Sequence, residues 1–197
     1  MSRIPRTAYD SNLFHITCRG NNKQTIFKDT KDYRKFLKIL KKYKEKFLFK
    51  LYSYTLMRTH IHLAIESTAN FSISKIMQAI NLSYSFHFRK KYNYVGHVWQ
   101  GRFTSSPVGN DCYLLRCLRY IDLNPVKDNI IIDPANHQWG SYRAYAFGEK
   151  NALIDLHSIY YLLGTDDKTR QSEYRNFVLS ELSEGTLLKI GGETVLI

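Results

Sequence analysis

Residues 51–66 read Leu51-Tyr52-Ser53-Tyr54-Thr55-Leu56-Met57-Arg58-Thr59-His60-Ile61-His62-Leu63-Ala64-Ile65-Glu66. The first seven are rich in Tyr and Leu, Arg58-Thr59 supplies a turn, and residues 60–66 alternate strictly in polarity. That pattern predicts two neighbouring strands. Successive strand residues point to opposite faces, so Ile61, Leu63 and Ile65 go to one side. His60, His62, Ala64 and Glu66 go to the other.

Working outward, Phe14-His15-Ile16-Thr17-Cys18 predicts a short strand, closed by the turn-forming Arg19-Gly20-Asn21-Asn22. From Asp29 the spacing turns helical, with Tyr33, Phe36, Leu37, Leu40, Tyr43 and Phe47 three or four residues apart. Asp29 suits the cap of that helix and Asp32 its first turn. A second helix is predicted over 72–91, on the stripe Ile73, Ile76, Met77, Ile80, Tyr84 and Phe88. A strand follows over 98–105, before Pro107, and a third helix begins near Asn110 or Asp111 and carries residues 113–123. Strand, helix, strand, strand, helix, strand is the order of a split β-α-β-β-α-β unit. The expected class is therefore α+β, a ferredoxin-like antiparallel sheet with helices on one face.

Beyond Pro125 the sequence is irregular until Trp139-Gly140-Ser141-Tyr142, and helical segments are predicted over 155–163 and 168–184. Residues 1–147 read as the main domain and 148–197 as a mainly helical C-terminal extension, which can pack on the main domain or bind DNA, with packing favoured. The final dozen residues, with Gly191-Gly192, match no element.

Composition narrows the function. Hydrophobic residues are 44% and aromatics 14% of the 197 residues, which suits a folded chain. No apolar run reaches the roughly 18 residues of a membrane span, and Met1–Asp10 has no apolar signal region. Cys18, Cys112 and Cys117 lack metal-type or disulfide spacing. Cytoplasm is the expected compartment. The 29 Lys and Arg against 17 Asp and Glu leave +12, which favours a polyanion, nucleic acid first.

Chemistry gathers at two places. His60 and His62 share one strand face about 7 Å apart along the backbone, which lets both imidazoles reach one metal ion. Tyr120 and Asn124, at i and i+4, share one face of the third helix. If that helix lies near the His-bearing side of the sheet, Tyr120 reaches a phosphate held by the metal and Asn124 adds an oxygen ligand. By spacing alone, the histidines can equally be structural, and Tyr120 can be one packed tyrosine among 15.

Motifs go further than spacing. Met57-Arg58-Thr59-His60-Ile61-His62-Leu63 resembles the His-hydrophobe-His motif of HUH nucleases. Gly101-Arg102-Phe103-Thr104-Ser105-Ser106-Pro107, Tyr113-Leu114-Leu115 and the run from Arg119-Tyr120-Ile121-Asp122-Leu123-Asn124 to Pro125-Val126-Lys127 resemble REP-associated tyrosine transposases, single-tyrosine HUH-type enzymes. Phe14 to Asn22 resembles their first strand, and Trp139-Gly140-Ser141-Tyr142 a later landmark. The match covers about residues 10–147 in the expected order. Two features depart from a regular reading: Arg58-Thr59 stands where Pro-Asn is common, and Pro125 is expected to disturb the helix at Asn124.

The resemblance implies a divalent metal, Mg²⁺ or Mn²⁺, held by His60, His62 and Asn124, with Tyr120 as nucleophile. The implied reaction nicks and rejoins single-stranded DNA, expected to carry hairpins, through a 5′-phosphotyrosine. Arg19, Asn21, Asn22, Lys23 and Arg102 are the candidate DNA contacts, as phosphate or base binders. Two other readings share the fold: a non-catalytic DNA-hairpin binder, and a replication-initiator or relaxase-type HUH nuclease. Monomer and homodimer are both compatible with the sequence.

Overall fold

The computed structural model describes residues 11–180 and two short terminal strands, Leu187–Ile190 and Glu193–Leu196. In chain order the main elements are β1 (Leu13–Arg19), α1 (Thr30–Phe47), β2 (Lys50–Leu56), β3 (His60–Glu66), α2 (Ile73–Tyr92), β4 (Thr104–Pro107) and α3 (Asp111–Lys127). Three helices follow: α4 (Tyr142–Phe147), α5 (Ser158–Tyr161) and α6 (Asp167–Leu179). The sheet runs β2-β3-β1-β4 with every neighbouring pair antiparallel, the order of the split β-α-β-β-α-β unit.

The helix starts follow their capping residues. Asp29 accepts from the Asp32 amide, and the Asp32 side chain accepts in return from the Asp29 amide, forming a capping box. Ser72 caps α2 by accepting from the Lys75 amide, and Asn110 caps α3 by accepting from the Tyr113 amide. Asp32 is more than a first-turn acid. It is buried and takes hydrogen bonds from Lys91 and Tyr92, with His87 at 3.1 Å, so it fastens α1 to α2.

Two cores flank the sheet. On one face α1 and α2 enclose Phe14, Ile16, Leu63, Ile65, Phe36, Leu40, Ile80 and Tyr84. This is the face to which alternation assigns Ile61, Leu63 and Ile65. The opposite, His-bearing face does not lie open. Ala64 and Tyr52 join Leu114, Leu118, Ile121, Tyr145, Tyr174 and Phe177 in a second core that spans α3, α4 and α6. The helices-on-one-face arrangement thus holds for α1 and α2, while the aromatic residues after α3 supply a second layer. Consequently β3 is buried on both sides until Glu66.

Three boundaries differ from the sequence reading. The strand expected over 98–105 is confined to 104–107, because Val98 and Trp99 are tied to the end of β1 and Gly101 turns the chain at φ 64. The helix expected from 155 begins at Ser158, because Asp155 pairs with the β2 edge: its amide donates to Leu51 O, and its carboxylate accepts from the Leu51 amide. The helix expected over 168–184 is α6, ending at Leu179; residues 181–184, like Gly191-Gly192, lie outside the described residues.

Trp139-Gly140-Ser141 closes the exposed edge of β2. Leu56 N donates to Trp139 O, Ser141 N to Tyr54 O, and Tyr54 N to Ser141 Oγ. Satisfying the edge removes a site for unwanted strand pairing. A Cβ at Gly140 would stand 3.1 Å from Thr55 Oγ1, so the approach is tight for any larger residue.

Candidate active site

Antiparallel register brings the site together from two strands. Thr17 on β1 faces His62 on β3, Arg19 faces His60, and His15 faces Ala64. Opposite residues project to the same side, so β1 delivers His15, Thr17 and Arg19 to the face that carries His60 and His62. The third helix crosses the same face. Its Tyr120 ring meets His62 edge-on at 5.6 Å and His15 at 5.4 Å. Two turns further on, Asp128 Oδ2 lies 3.8 Å from His60 Nε2. Asn124 sits one turn from each on the same helical face, between the two contacts.

Burial differs sharply within the cluster. His60 and His62 are 8% and 4% exposed, whereas Tyr120 is 42% exposed. The imidazoles are recessed and the phenol opens to solvent beside them. Desolvation lowers the pKa of His62 to about 2 and of His15 to about 4, and lowers that of His60 as well. All three rings are therefore neutral near pH 7, the state in which a ring nitrogen offers a lone pair.

The donor set suits a divalent cation. His62 Nδ1 is engaged by His15 Nε2 at 3.0 Å and Thr17 Oγ1 at 3.2 Å, and His60 Nδ1 by Thr59 Oγ1 at 3.1 Å. In both histidines Nδ1 is oriented by a neighbour, as in metal-bound histidines, which leaves Nε2 of His62 available while Nε2 of His60 faces Asp128. Asn124 donates Nδ2 to Tyr120 O at 2.7 Å, which fixes the amide and leaves Oδ1 as an acceptor. Pro125 lies inside α3, and the helix continues through Lys127. No group of three or more His, Cys, Asp or Glu that could hold a metal ion occurs among the described residues.

Tyr120, His60, His62 and Asn124 are brought to one place. Arg19 is exposed at the edge of this cluster, opposite His60. Asn21, Asn22 and Lys23 form a 3₁₀ turn after β1, with Asn22 and Lys23 in the left-handed region. Asn21 and Arg102 line a separate cleft; Asn22 and Lys23 are exposed and do not.

Sequence reasoning missed four members of the site: His15, Thr17, Lys127 and Asp128. The Lys127 ammonium stands 4.3 Å from the Tyr120 ring centroid. Period-two alternation already placed His15 and Thr17 together on one face, and period-four spacing placed Asp128 beyond Asn124. What was missing was the strand register that sets β1 beside β3.

The sequence profile described as IS200-like transposase matches residues 8–124, more than half of the chain. The chain belongs to the IS200-like transposases. Among solved structures, this transposase is similar to a REP-associated tyrosine transposase bound to a REP hairpin, with a TM-score of 0.63 and 18% identity, covering 80% of this chain and 96% of that one. That likeness concerns the fold. A candidate transposase from Deinococcus radiodurans R1 matches more loosely, with a TM-score of 0.44 and 13% identity over 61% of this chain and 96% of that one. No curated protein matches the sequence significantly. No helix among the described residues of this IS200-like chain is long and apolar enough to cross a membrane.

Proposed function

We propose that this transposase nicks and rejoins single-stranded DNA carrying hairpins, in the cytoplasm, using Tyr120 as a covalent nucleophile. One observation carries the reading: an exposed phenol on α3 stands edge-on to a recessed, neutral pair of strand histidines. Family membership supports DNA transposition as the general activity. The hairpin assignment is supported by the solved fold relative, which is bound to a REP hairpin.

The phenolic oxygen attacks a DNA phosphorus and the bond from phosphorus to the 3′-oxygen breaks. Tyr120 gives up its proton, the departing strand leaves with a 3′-hydroxyl, and a 5′-phosphotyrosine remains. Attack by another strand's 3′-hydroxyl reverses the step and returns the phenol. The phosphodiester's energy is retained in the covalent intermediate, so joining requires no nucleotide cofactor. His60, His62 and Asn124 are assigned to a Mg²⁺ or Mn²⁺ ion, which when bound supplies charge stabilisation at the scissile phosphate. An oxygen-preferring ion on two imidazoles and one amide is held weakly, so the metal is exchangeable. Lys127 and Arg19 add positive charge at either end of the cluster and attract the strand's phosphates.

Product mapping tests this reading. A hairpin oligonucleotide with single-stranded flanks, labelled at either end, should yield a free 5′-side fragment ending in a 3′-hydroxyl and a 3′-side fragment linked to the protein through its 5′-phosphate with Mn²⁺, and neither with EDTA. Binding of the same oligonucleotide without any cleavage would favour a non-catalytic hairpin binder instead.

A further inference from the structure

A second feature lies beyond the cluster of Tyr120 and the histidines. A cleft of about 420 Å³ opens between the turn after β1, the middle of α2 and the 97–102 loop, lined by Asn21, Ser85, Arg89, His97, Trp99 and Arg102. Its volume is that of a small-molecule site, which suits one extruded nucleotide and excludes a duplex. Its lining combines two guanidinium groups, hydrogen-bonding side chains and an indole wall. Arg102 is exposed and makes no ion pair among the described residues, so its charge is available to a ligand.

The walls are held in place before any ligand arrives. Gly20 and Trp99 form a β-bridge, Asn21 N donates to Val98 O at 2.9 Å, and Gln100 N donates to Arg19 O at 2.8 Å. Trp99 Nε1 donates to Asn81 O at 3.0 Å, and Arg89 clamps Gly96 O through Nε and Nη2 at 3.2 and 3.0 Å. Gly101, at φ 64, has open space where a Cβ would stand. The loop is thus built as one rim of the cleft and leaves its mouth clear.

Two observations tie the cleft to a strand rather than to a free metabolite. The rim is bonded directly to Arg19, whose partner across the sheet is His60, so the cleft and the His cluster lie at one end of β1. The helix that walls the cleft, α2, also exposes Phe86, at 62%, about one turn before the cleft-lining Arg89. An exposed aromatic next to a cationic groove is the composition that single-strand binding surfaces use, because any base can stack on it.

We propose that this cleft takes one unpaired nucleotide of the DNA strand, with its phosphate on Arg102 and the adjacent base stacked on Phe86. The assignment rests on the single-strand reading above and adds where a base outside the cleavage point is held. It makes the cleft a positioning device: a nucleotide gripped there sets which phosphate reaches Tyr120.

The test is a pair of substitution scans on the full chain, read by fluorescence anisotropy in EDTA. Each phosphate of the single-stranded flank is replaced by a neutral methylphosphonate, and each base by an abasic site. One phosphate and one base are expected to matter by about tenfold in affinity. The phosphate effect should vanish in Arg102→Ala, and the base effect in Phe86→Ala. Both positions are exposed, so the fold is retained. Wild-type protein that binds the strand and forms the Tyr120 adduct, yet shows no position coupled to either variant, overturns the cleft assignment and leaves the nuclease reading intact. Saturable binding of a free deoxynucleoside monophosphate that Arg102→Ala abolishes, without coupling on the strand, also overturns it and reassigns the cleft to a small ligand. Failure of the wild type to bind any single strand removes the DNA reading and this proposal with it.

Discussion

His15 Nε2 lies 3.0 Å from His62 Nδ1, and the two rings stack with centroids 5.2 Å apart. With its proton on Nδ1, His62 turns Nε2 away from His15, and the stacked ring fixes the plane in which that lone pair points. Loss of such an orienting partner commonly weakens metal binding about 10- to 100-fold. His15→Ala should therefore weaken Mn²⁺ affinity by roughly that factor, measured by electron paramagnetic resonance on the oligonucleotide complex. Circular dichroism should be unchanged, because His15 is only partly buried. Equal Mn²⁺ affinity in the two proteins would leave His15 as packing alone.

Lys127 stands over the ring of Tyr120, the proposed nucleophile. Its contribution is to hold the ring and to offset charge on the incoming phosphate, both modest effects. Burial lowers its pKa, with the nearby Arg119 adding to the shift. Lys127→Met should slow adduct formation about tenfold, equivalent to roughly 1.4 kcal/mol, while anisotropy shows hairpin DNA still bound. An unchanged rate would remove Lys127 from the reaction.

Asp122 gives the fold a pH signature. It is buried against the second core, where desolvation raises its pKa to about 7; the hydrogen bond from Tyr174 pulls the other way. The unfolded carboxyl titrates near 4, so between roughly pH 4 and 7 the folded chain binds a proton that the unfolded chain releases. Stability from this group is complete below the unfolded value and is lost as pH rises through the folded one. The partly buried His15 and the buried His60 and His62, with lowered pKa values, act in the opposite direction below about pH 6.5, so the wild-type profile contains both trends. Asp122→Asn isolates the first: its melting temperature relative to the wild type's should rise from about pH 4 to pH 7 and level off above it. A constant difference across that range would contradict the assignment.

Packing around the same carboxylate yields a second stability prediction. Tyr174 Oη donates to Asp122 Oδ2 at 2.6 Å, joining α6 to the helix that carries Tyr120. Tyr174→Phe leaves a buried acceptor without its donor and should cost about 1–3 kcal/mol in denaturant unfolding. A change within a few tenths of a kcal/mol would show that the bond contributes little.

Much of this was legible in the sequence because it is local. The alternation of Ile61, Leu63 and Ile65 with His60 and His62 placed β3 to the residue, and Asp29, Ser72 and Asn110 marked three helix starts. What escaped depends on contacts between distant segments. The role of His15 required knowing that β1 pairs with β3, and Asp128 reaches His60 only once α3 crosses the sheet. The length of β4 was misjudged because Val98 and Trp99 look like strand residues, yet they are apolar in order to bury against α1 and α2. The second core was hidden for the same reason: Tyr145, Tyr160 and Tyr174 look like scattered aromatics until α4, α5 and α6 fold onto α3.

The most direct test of the central claim is whether Tyr120 becomes covalently attached to DNA. Wild type and Tyr120→Phe are incubated with a hairpin-containing single strand and Mn²⁺, then denatured and digested for mass spectrometry. The expected product is a nucleotide linked through phosphate to the peptide that contains Tyr120, dependent on metal and absent from the variant. An adduct that persists in Tyr120→Phe, or one mapped to another tyrosine, would contradict the claim.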